Sequence, residues 1–232
     1  MDLHVNRLLE FLTELRANNN REWFAANKPR YTEIQTEFNA FAERLIERMT
    51  VMDTALAGIT LRDCTYRIYR DTRFTSDKTP YKTHFGVYMC PHGKKSGYSG
   101  YYFHVEPVSD GGLLGRSILD VGQYRPEPKV LQSIREEILD NGGELRRKIA
   151  DTERCGWLLG RDNALSRVPK GFPADSEYAD LLRLRDVSLM KNIDLKYLMS
   201  ADLIERVVAD FAVCRPFNDI LNRATRYAFE EM

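Results

Sequence analysis

The fold is decided by two segments, THFGVYMC at residues 83–90 and GYYFHVE at residues 100–106. Both are short, rich in aromatic and β-branched residues, and separated by Pro, Gly and Ser residues, as is typical of antiparallel strands. Residues 65–74 and 113–121 predict two more strands, and residues 187–190 predict another. The sequence therefore predicts a mainly antiparallel sheet of about four to five strands.

Helical periodicity precedes these strands. Apolar residues recur every three or four positions in residues 8–15 and again in residues 31–49, which predicts two helices. Asn19 and Glu22 lie three residues apart and resemble a capping box. This spacing predicts a further short helical piece between the two longer helices.

Helices also follow the strands. One predicted helix opens near Pro126 and ends at the Asn-Gly-Gly of residues 141–143. Apolar stripes on the two sides of Pro216 predict two closing helices, at residues 203–211 and 217–224. We therefore expect an α+β fold in which N- and C-terminal helices pack on one face of the sheet.

Composition limits the class of protein. The 232 residues are 43% hydrophobic and 29% charged, enough for a substantial core in a single domain over residues 1–232. The 34 Lys and Arg residues balance 34 Asp and Glu residues, which argues against coating nucleic acid or anionic membrane through bulk charge. The opening MDLHVNR carries charges where a signal peptide needs apolar residues, and no apolar run approaches a membrane span. We expect a cytoplasmic protein with no membrane contact.

Alternation sorts the three middle strands into two faces, because residues two apart share a face. The apolar face carries Ile68, Phe85, Val87, Met89, Tyr101, Phe103 and Val105. The other face carries Arg67, Tyr69, Asp71, Arg73, His84, Tyr88, Tyr102, His104 and Glu106. Solvated strand faces usually hold Thr, Lys, Glu and Ser, whereas Tyr, His and Arg bind planar or anionic groups. Composition therefore favours a binding surface over a face that merely meets water.

A basic loop adjoins this face. The connection from Thr72 to Thr83 is crowded with hydroxyls and cations, which suit a phosphate or carboxylate, although a charged surface loop is individually more common. The PKGF of residues 169–172 supplies a second basic loop. The predicted ligand-binding residues are Arg67, Tyr69, Arg73, Lys78, Tyr81, Lys82, Tyr88, Tyr102 and Lys170. Arg70 falls on the apolar face, so either the strand bends there or Arg70 pairs with a buried carboxylate.

Catalytic candidates are few. Acid–base chemistry would fall to His84, His104, Glu106 and Asp71. The four cysteines form no Cys-x-x-Cys pair, and the chain has no P-loop and no dinucleotide Gly-x-Gly-x-x-Gly motif. We therefore predict no cofactor and no structural metal.

Three functions compete for this surface. The first is binding of a small anionic ligand, with or without acid–base catalysis. The second is binding of nucleic acid, with tyrosines stacking on bases, and the zero net charge disfavours it. The third is docking of another protein chain, since Tyr and Arg are favoured interface anchors.

Several strings of the sequence carry a family resemblance. They are NNNREWF at residues 18–24, RIYRDTRF at 67–74, DKTPYKTH at 77–84, GYY at 100–102, EP at 106–107 and PKGF at 169–172. Through them nearly the whole chain resembles the domain of unknown function 2461 family of uncharacterised bacterial and fungal proteins. The resemblance implies an α+β domain and brings no established activity, cofactor or catalytic residue.

Overall fold

The computed structural model describes residues 3–110 and 113–230, and its centre is a five-stranded sheet. The strands are β1 (Phe85–Met89), β2 (Gly100–Val105), β3 (Ile118–Gln123), β4 (Leu158–Leu159) and β5 (Val187–Asn192). They lie in the order β1-β2-β3-β5-β4, and every neighbouring pair is antiparallel. The predicted α+β fold with a mainly antiparallel sheet is confirmed.

In the order of the sequence, helices precede β1 and follow β3. The α-helices are α1 (Val5–Ala17), α2 (Arg21–Ala26), α3 (Lys28–Met52), α4 (Leu61–Cys64), α5 (Pro128–Glu153), α6 (Ala179–Leu182), α7 (Leu195–Leu198) and α8 (Leu203–Glu230). A single 3-10 turn is formed by Thr54–Leu56. Within the described residues, no helix combines the length and the apolar character that crossing a bilayer requires.

The helices α3 and α8 cover the apolar face of the sheet. Phe41 of α3 packs on Phe103 with ring centres 5.1 Å apart, and Phe211 of α8 packs on Tyr101 at 5.4 Å. All four of these side chains are buried, as is Val87 of β1. Burying one large apolar side chain contributes about 1.5–3 kcal/mol, so this face forms the core. The polar residues of the same strands therefore lie on the opposite, outer face of the sheet.

The strand predicted at residues 65–74 is wrong. This segment forms only isolated bridges, one of which joins Tyr69 to Tyr81. Beside that bridge the Arg70 N–H donates to the Pro80 carbonyl over 2.9 Å. Proline has no N–H to return the second bond of the pair, so the pairing cannot extend into a ladder.

Two predicted helix ends are also wrong. The helix α5 continues through residues 141–143, and the only non-helical backbone inside it is at Asn141, with φ −132°. The helix α8 runs through Pro216, so the two predicted closing helices are one. Buried residues lie on both sides of that proline, and their packing outweighs the local cost of the missing N–H.

The kink of α5 leads to a prediction about two adjacent glycines. A Cβ at Gly142 would lie 2.7 Å from ring atoms of Tyr178, whereas a Cβ at Gly143 would meet only the Tyr178 hydroxyl, at 3.4 Å. We predict that Gly142→Ala lowers the free energy of unfolding by about 1–3 kcal/mol through overpacking. Gly143→Ala should raise it by up to about 1 kcal/mol, because alanine favours helix. Urea denaturation measures both, and equal effects of the same sign would contradict this packing.

Candidate anion-binding site and buried relay

A cavity of about 310 Å³ opens between the C-terminal end of α1 and the segment from Arg70 to His84. Most of the residues that line it are polar or charged. The lining residues are Arg16, Asn19, Arg70, Asp77, Thr79, Tyr81, Lys82, Thr83, His84 and Leu113. The structure thus brings together three residues that the sequence predicts for the site, namely Tyr81, Lys82 and His84.

Lys82 and Arg16 reach the cavity with hydrogen-bonding capacity unused. The Lys82 ammonium lies 5.1 Å from the centre of the Tyr66 ring, and no described carboxylate forms an ion pair with it. Burial, together with the charge of Arg67, lowers the pKa of Lys82. Arg16 donates through Nη2 to the Pro107 carbonyl over 3.2 Å, while its buried Nε has no partner among the described residues. Both cations can therefore donate to an anion.

Asn19 fixes one wall of the cavity. Its side-chain amide donates to the Tyr81 carbonyl over 2.9 Å and accepts from the Tyr81 N–H over 3.1 Å. The Tyr81 ring stacks on Phe24 of α2, with ring centres 3.9 Å apart. The cap of α2 is Asn20, which accepts from the Trp23 N–H, so the capping box predicted at Asn19 is wrong. Asn19 is thereby available to hold Tyr81.

The loop of residues 71–79 is held by its own side chains. The guanidinium of Arg70 donates to Asp77 and to the Thr79 hydroxyl. Asp77 in turn accepts from the Thr79 N–H over 2.9 Å. The Asp77 side chain is 55% exposed, so the alternative in which Arg70 pairs with a buried carboxylate is wrong. Internal hydrogen bonds therefore shape the loop that borders the cavity.

Three side chains in and just after β2 form a hydrogen-bonded chain next to the cavity. Tyr102, His104 and Glu106 are spaced two apart and lie on the same side of the strand. The Tyr102 hydroxyl lies 3.0 Å from His104 Nδ1, and His104 Nε2 lies 3.1 Å from Glu106 Oε2. His104 and Glu106 are buried, whereas Tyr102 is half-buried. We call these three residues the Tyr102–His104–Glu106 relay.

The Glu106 carboxylate is stabilised as an anion. Its two oxygens accept hydrogen bonds from the backbone N–H groups of residues 113, 114 and 115, over 2.9, 2.8 and 3.1 Å. The Arg16 guanidinium lies 3.6 Å from Oε1. Burial raises the pKa of Glu106, but the hydrogen bonds from His104 and the loop N–H groups outweigh it and lower the pKa to about 2. Glu106 is therefore ionised at neutral pH.

His84 joins the cavity to the relay. Its ring lies against His104, with ring centres 4.8 Å apart. Burial, assisted by the neighbouring His104, lowers the pKa of His84 to about 3. The His84 ring is therefore neutral at pH 7, and it offers the cavity one N–H donor and one acceptor without adding charge.

A polar row crosses the outer face of the sheet. Tyr88, Tyr102 and Asp120 pair directly across β1, β2 and β3. The Tyr88 hydroxyl donates to the Tyr98 carbonyl over 2.9 Å. A Cβ at Gly86 would lie 2.5 Å from the Tyr102 hydroxyl, so only glycine leaves room for that side chain. Burial raises the pKa of Asp120 to about 7.

The other predicted site residues lie outside the cavity. Arg73 pairs with Asp71 at 2.7 Å on the surface, and its hydrogen bonds lower the pKa of Asp71 to about 2. Lys78 donates to the Thr72 carbonyl over 2.8 Å. The exposed remainder comprises Arg67, Tyr69 and Lys170. The predicted strand face that joins Arg67, Tyr69, Asp71 and Arg73 to the residues of β1 and β2 is wrong, because residues 65–74 form no strand.

The residues of this region that are not predicted from the sequence as site residues include Arg70, which the alternation places on the apolar face, and also Arg16, Asn19 and Asp120. Arg16 lies in the last turn of α1, and no local pattern shows that this helix end meets the loop after β2. Asn19 resembles an ordinary helix cap. Asp120 has a detectable signal, because the apolar Leu119 and Val121 on either side place it on the polar face by alternation.

The described residues contain no group of three or more His, Cys, Asp or Glu side chains arranged to hold a metal ion. Both ring nitrogens of His104 are engaged, one with Tyr102 and one with Glu106. A metal could use either nitrogen only by breaking one of these bonds.

A larger groove of about 700 Å³ lies between the start of α1, α3 and the start of α8. Its lining mixes charges, with Arg7 and Arg48 beside Glu47 and Glu205. Arg7 already binds Glu37 at 3.0 Å. No residue that the sequence predicts for the site lines this groove, so the smaller cavity is the better candidate.

Comparison with known proteins identifies the family. The family model described as Conserved hypothetical protein (DUF2461) matches residues 7–220. The chain therefore belongs to this family, and the resemblance seen in the sequence is confirmed. Neither the curated proteins nor the solved structures contain a match to the chain.

The two hydrogen bonds between the Asn19 side chain and the Tyr81 backbone, here called the Asn19 clamp, lead to a prediction about stability. We predict that Asn19→Ala lowers the free energy of unfolding by about 1–3 kcal/mol, because both backbone groups of Tyr81 lose their partner. Asn18→Ala is the matched control, since the Asn18 side chain makes one exposed bond, to the Glu14 carbonyl. That control should change stability by less than about 0.5 kcal/mol. Comparable losses in the two variants, measured by urea denaturation, would contradict the clamp.

The raised pKa of Asp120 leads to a prediction about pH. Between its ordinary pKa of 3.8 and its folded value of about 7, the folded protein binds the proton that the unfolded chain releases. Stability is therefore lost as pH rises through this window. We predict that Asp120→Asn raises the melting temperature relative to wild type by a few degrees above pH 7 and has a much smaller effect near pH 4. A pH-independent difference between the two melting curves would contradict the assignment.

Proposed function

We propose that this member of the DUF2461 family binds a small molecule bearing a phosphate or carboxylate group in the cavity lined by Arg16, Arg70 and Lys82. The observation that carries the proposal is the imbalance of charge in that lining. Three cations face the cavity: Arg70 binds Asp77 and Arg16 lies 3.6 Å from Glu106, whereas Lys82 forms no ion pair with a described carboxylate and leaves the lining with one excess positive charge. His84 is neutral at pH 7 and does not offset the imbalance.

The size and shape of the cavity support a small ligand. Its volume of about 310 Å³ is at the lower end of the range for small-molecule sites, about 300–1,000 Å³. The Tyr81 ring and Leu113 provide apolar wall, and Thr79 and Thr83 provide hydroxyls. A few polar groups on a partly apolar wall are typical of sites that fix the orientation of a metabolite.

Preorganisation also supports the proposal. Arg70 is held by Asp77 and Thr79, and Tyr81 is held by Asn19. A ligand that meets side chains already in place loses less free energy to ordering them. Because these side chains already hold each other in the described structure, ligand binding needs little rearrangement of the site.

A second candidate function rests on a different observation. Tyr66, Tyr69 and Phe74 are exposed, by 46%, 47% and 93%, and exposed Arg67 and Arg73 are interleaved with them. Exposed aromatics beside cations favour stacking on single-stranded nucleic acid. Oligonucleotide binding that falls steeply with salt and is lost in Phe74→Ala would support this function. Phosphate binding that survives in Phe74→Ala would point to the cavity, which Phe74 does not line.

The cavity proposal is tested with two lysines that differ in one respect. Both Lys82 and Lys94 lie over the Tyr66 ring, at 5.1 and 5.6 Å, but only Lys82 lines the cavity. We predict that Lys82→Met raises the Kd for ligand about 10- to 100-fold, since a bond to a charged group is lost. Lys94→Met removes the same charge and should change the Kd by less than about threefold.

The measurement is isothermal titration at constant ionic strength with inorganic phosphate and with the phosphorylated metabolites and carboxylates that raise the melting temperature in a thermal-shift screen. The proposal would be abandoned if no compound stabilised the protein. It would also be abandoned if Lys94→Met weakened binding as much as Lys82→Met.

A further inference from the structure

The protonation of the relay follows from Glu106. The ionised Glu106 carboxylate can only accept hydrogen bonds, so His104 Nε2, at 3.1 Å, must carry the proton. In neutral imidazole the other nitrogen is then an acceptor. With the His104 ring in this neutral form, Nδ1 accepts from the Tyr102 hydroxyl, whose oxygen lies 3.0 Å away. The order of donors runs from Tyr102 to His104 to Glu106.

The Tyr102 oxygen keeps its acceptor capacity. Its only hydrogen bond within the described residues is the one to His104. The side chain is half-buried on the outer face, and Gly86 below it adds no side chain of its own. The lone pairs of the Tyr102 oxygen are therefore free to receive a proton from a bound molecule.

We propose that the Tyr102–His104–Glu106 relay is a proton-accepting catalytic site, and that Asp120, its neighbour across β2 and β3, is the complementary proton donor. The substrate would be a small anionic molecule whose hydroxyl group, or a water beside it, loses a proton to Tyr102. The proposal rests on the proposed anionic ligand only for the anchoring of the substrate.

The step is balanced in protons. The substrate O–H bond breaks and its proton forms a new bond to the Tyr102 oxygen, while the original Tyr102 proton moves to His104 Nδ1. Tyr102 ends neutral, and His104 becomes an imidazolium beside the Glu106 carboxylate at 3.1 Å. A hydroxyl, a base and a carboxylate that orients the base form the arrangement expected of an activated hydroxyl. The deprotonated oxygen forms a bond to an electrophilic phosphorus or carbonyl carbon of the substrate, the bond from that atom to its leaving oxygen breaks, and the leaving oxygen takes the proton of Asp120, which becomes a carboxylate.

The two carboxyl groups suit opposite roles. Hydrogen bonds lower the pKa of Glu106 to about 2 against the effect of burial, and burial raises the pKa of Asp120 to about 7. Two carboxyl groups, one just after β2 and one in β3, of which one is kept ionised and one is kept protonated near neutral pH, are typical of an acid–base pair. Burial also raises the pKa of Tyr102, which disfavours a standing phenolate and favours concerted transfer to His104.

The relay and the anion cavity are contiguous. His84 lines the cavity and lies against His104, with ring centres 4.8 Å apart. Lys82 lines the cavity, with its ammonium 5.1 Å from the centre of the Tyr66 ring. A molecule anchored at Lys82 therefore has the relay as its neighbour.

The test uses benzenesulfonyl fluoride, which reacts with activated hydroxyls, on the full-length protein. The Tyr102 oxygen forms a bond to sulfur, the S–F bond breaks, fluoride leaves, and the Tyr102 proton passes to His104. We expect mass spectrometry of peptides to show Tyr102 labelled at least about tenfold faster than Tyr88, whose hydroxyl donates to a carbonyl, and than the 67% exposed Tyr124. Labelling of Tyr102 no faster than these two would overturn the proposal.

A variant and a spectrum guard against a folding artefact. His104→Gln should reduce Tyr102 labelling to the rate of Tyr88, and near-UV circular dichroism checks that it remains folded. In the wild-type protein, ¹⁵N NMR at pH 7 should show His104 protonated at Nε2 alone, and the ¹³C carboxyl resonance of Asp120 should titrate near pH 7. The opposite tautomer, or an Asp120 that titrates below pH 5, would refute the assigned roles. The reagent carries no anion, so failure of the cavity to bind phosphate would leave these results unaffected.

Discussion

The carboxylate of Glu106 is the interaction on which the rest of this region depends. A buried carboxylate is costly unless its charge is met by hydrogen bonds and an opposite charge. Here the N–H groups of residues 113–115, His104 and Arg16 meet it together. The same contacts hold the loop before β3, fix the tautomer of His104 and draw the end of α1 toward β2. One ionised group thus determines the position of the cavity wall and the chemistry of the relay.

The sequence predicts the sheet well where apolar and polar residues alternate, because this alternation shows which side chains are buried. In β1 and β2 the apolar positions, such as Val87 and Phe103, are buried without exception, because helices α3 and α8 cover one face completely. The same alternation predicts the polar face that carries His84, Tyr102 and His104. The sequence strings shared with the family are also local features. These features can be predicted locally, because the alternation within a strand of five or six residues shows which side chains face the core.

The segment of residues 65–74 shows why local pattern fails elsewhere. Its alternation of arginine, tyrosine and aspartate resembles a strand, but a strand also needs a partner with free N–H and carbonyl groups. Pro80 cannot donate, so the pair formed by Arg70 and Pro80 keeps only one of the two hydrogen bonds of a ladder. That proline lies outside residues 65–74, so the segment itself contains no trace of the missing donor. Arg16 escapes prediction for the same reason.

The polar outer face of the sheet includes one residue, Asp120, that lowers the stability of the fold. Tyr88, Tyr102 and Asp120 form a row on the sheet, and Asp120 destabilises the folded state near neutral pH because burial opposes its ionisation. A Val or Thr at that position would remove this cost and suit the strand better. Residues that break a local rule without full compensation are expected at functional sites, where selection acts on chemistry rather than stability. The hydrogen bonds from His104 and the loop N–H groups outweigh the burial of Glu106, whereas a hydrogen bond from Ser188 does not outweigh the burial of Asp120, and this contrast directs attention to the face that the two carboxyl groups share with Tyr102.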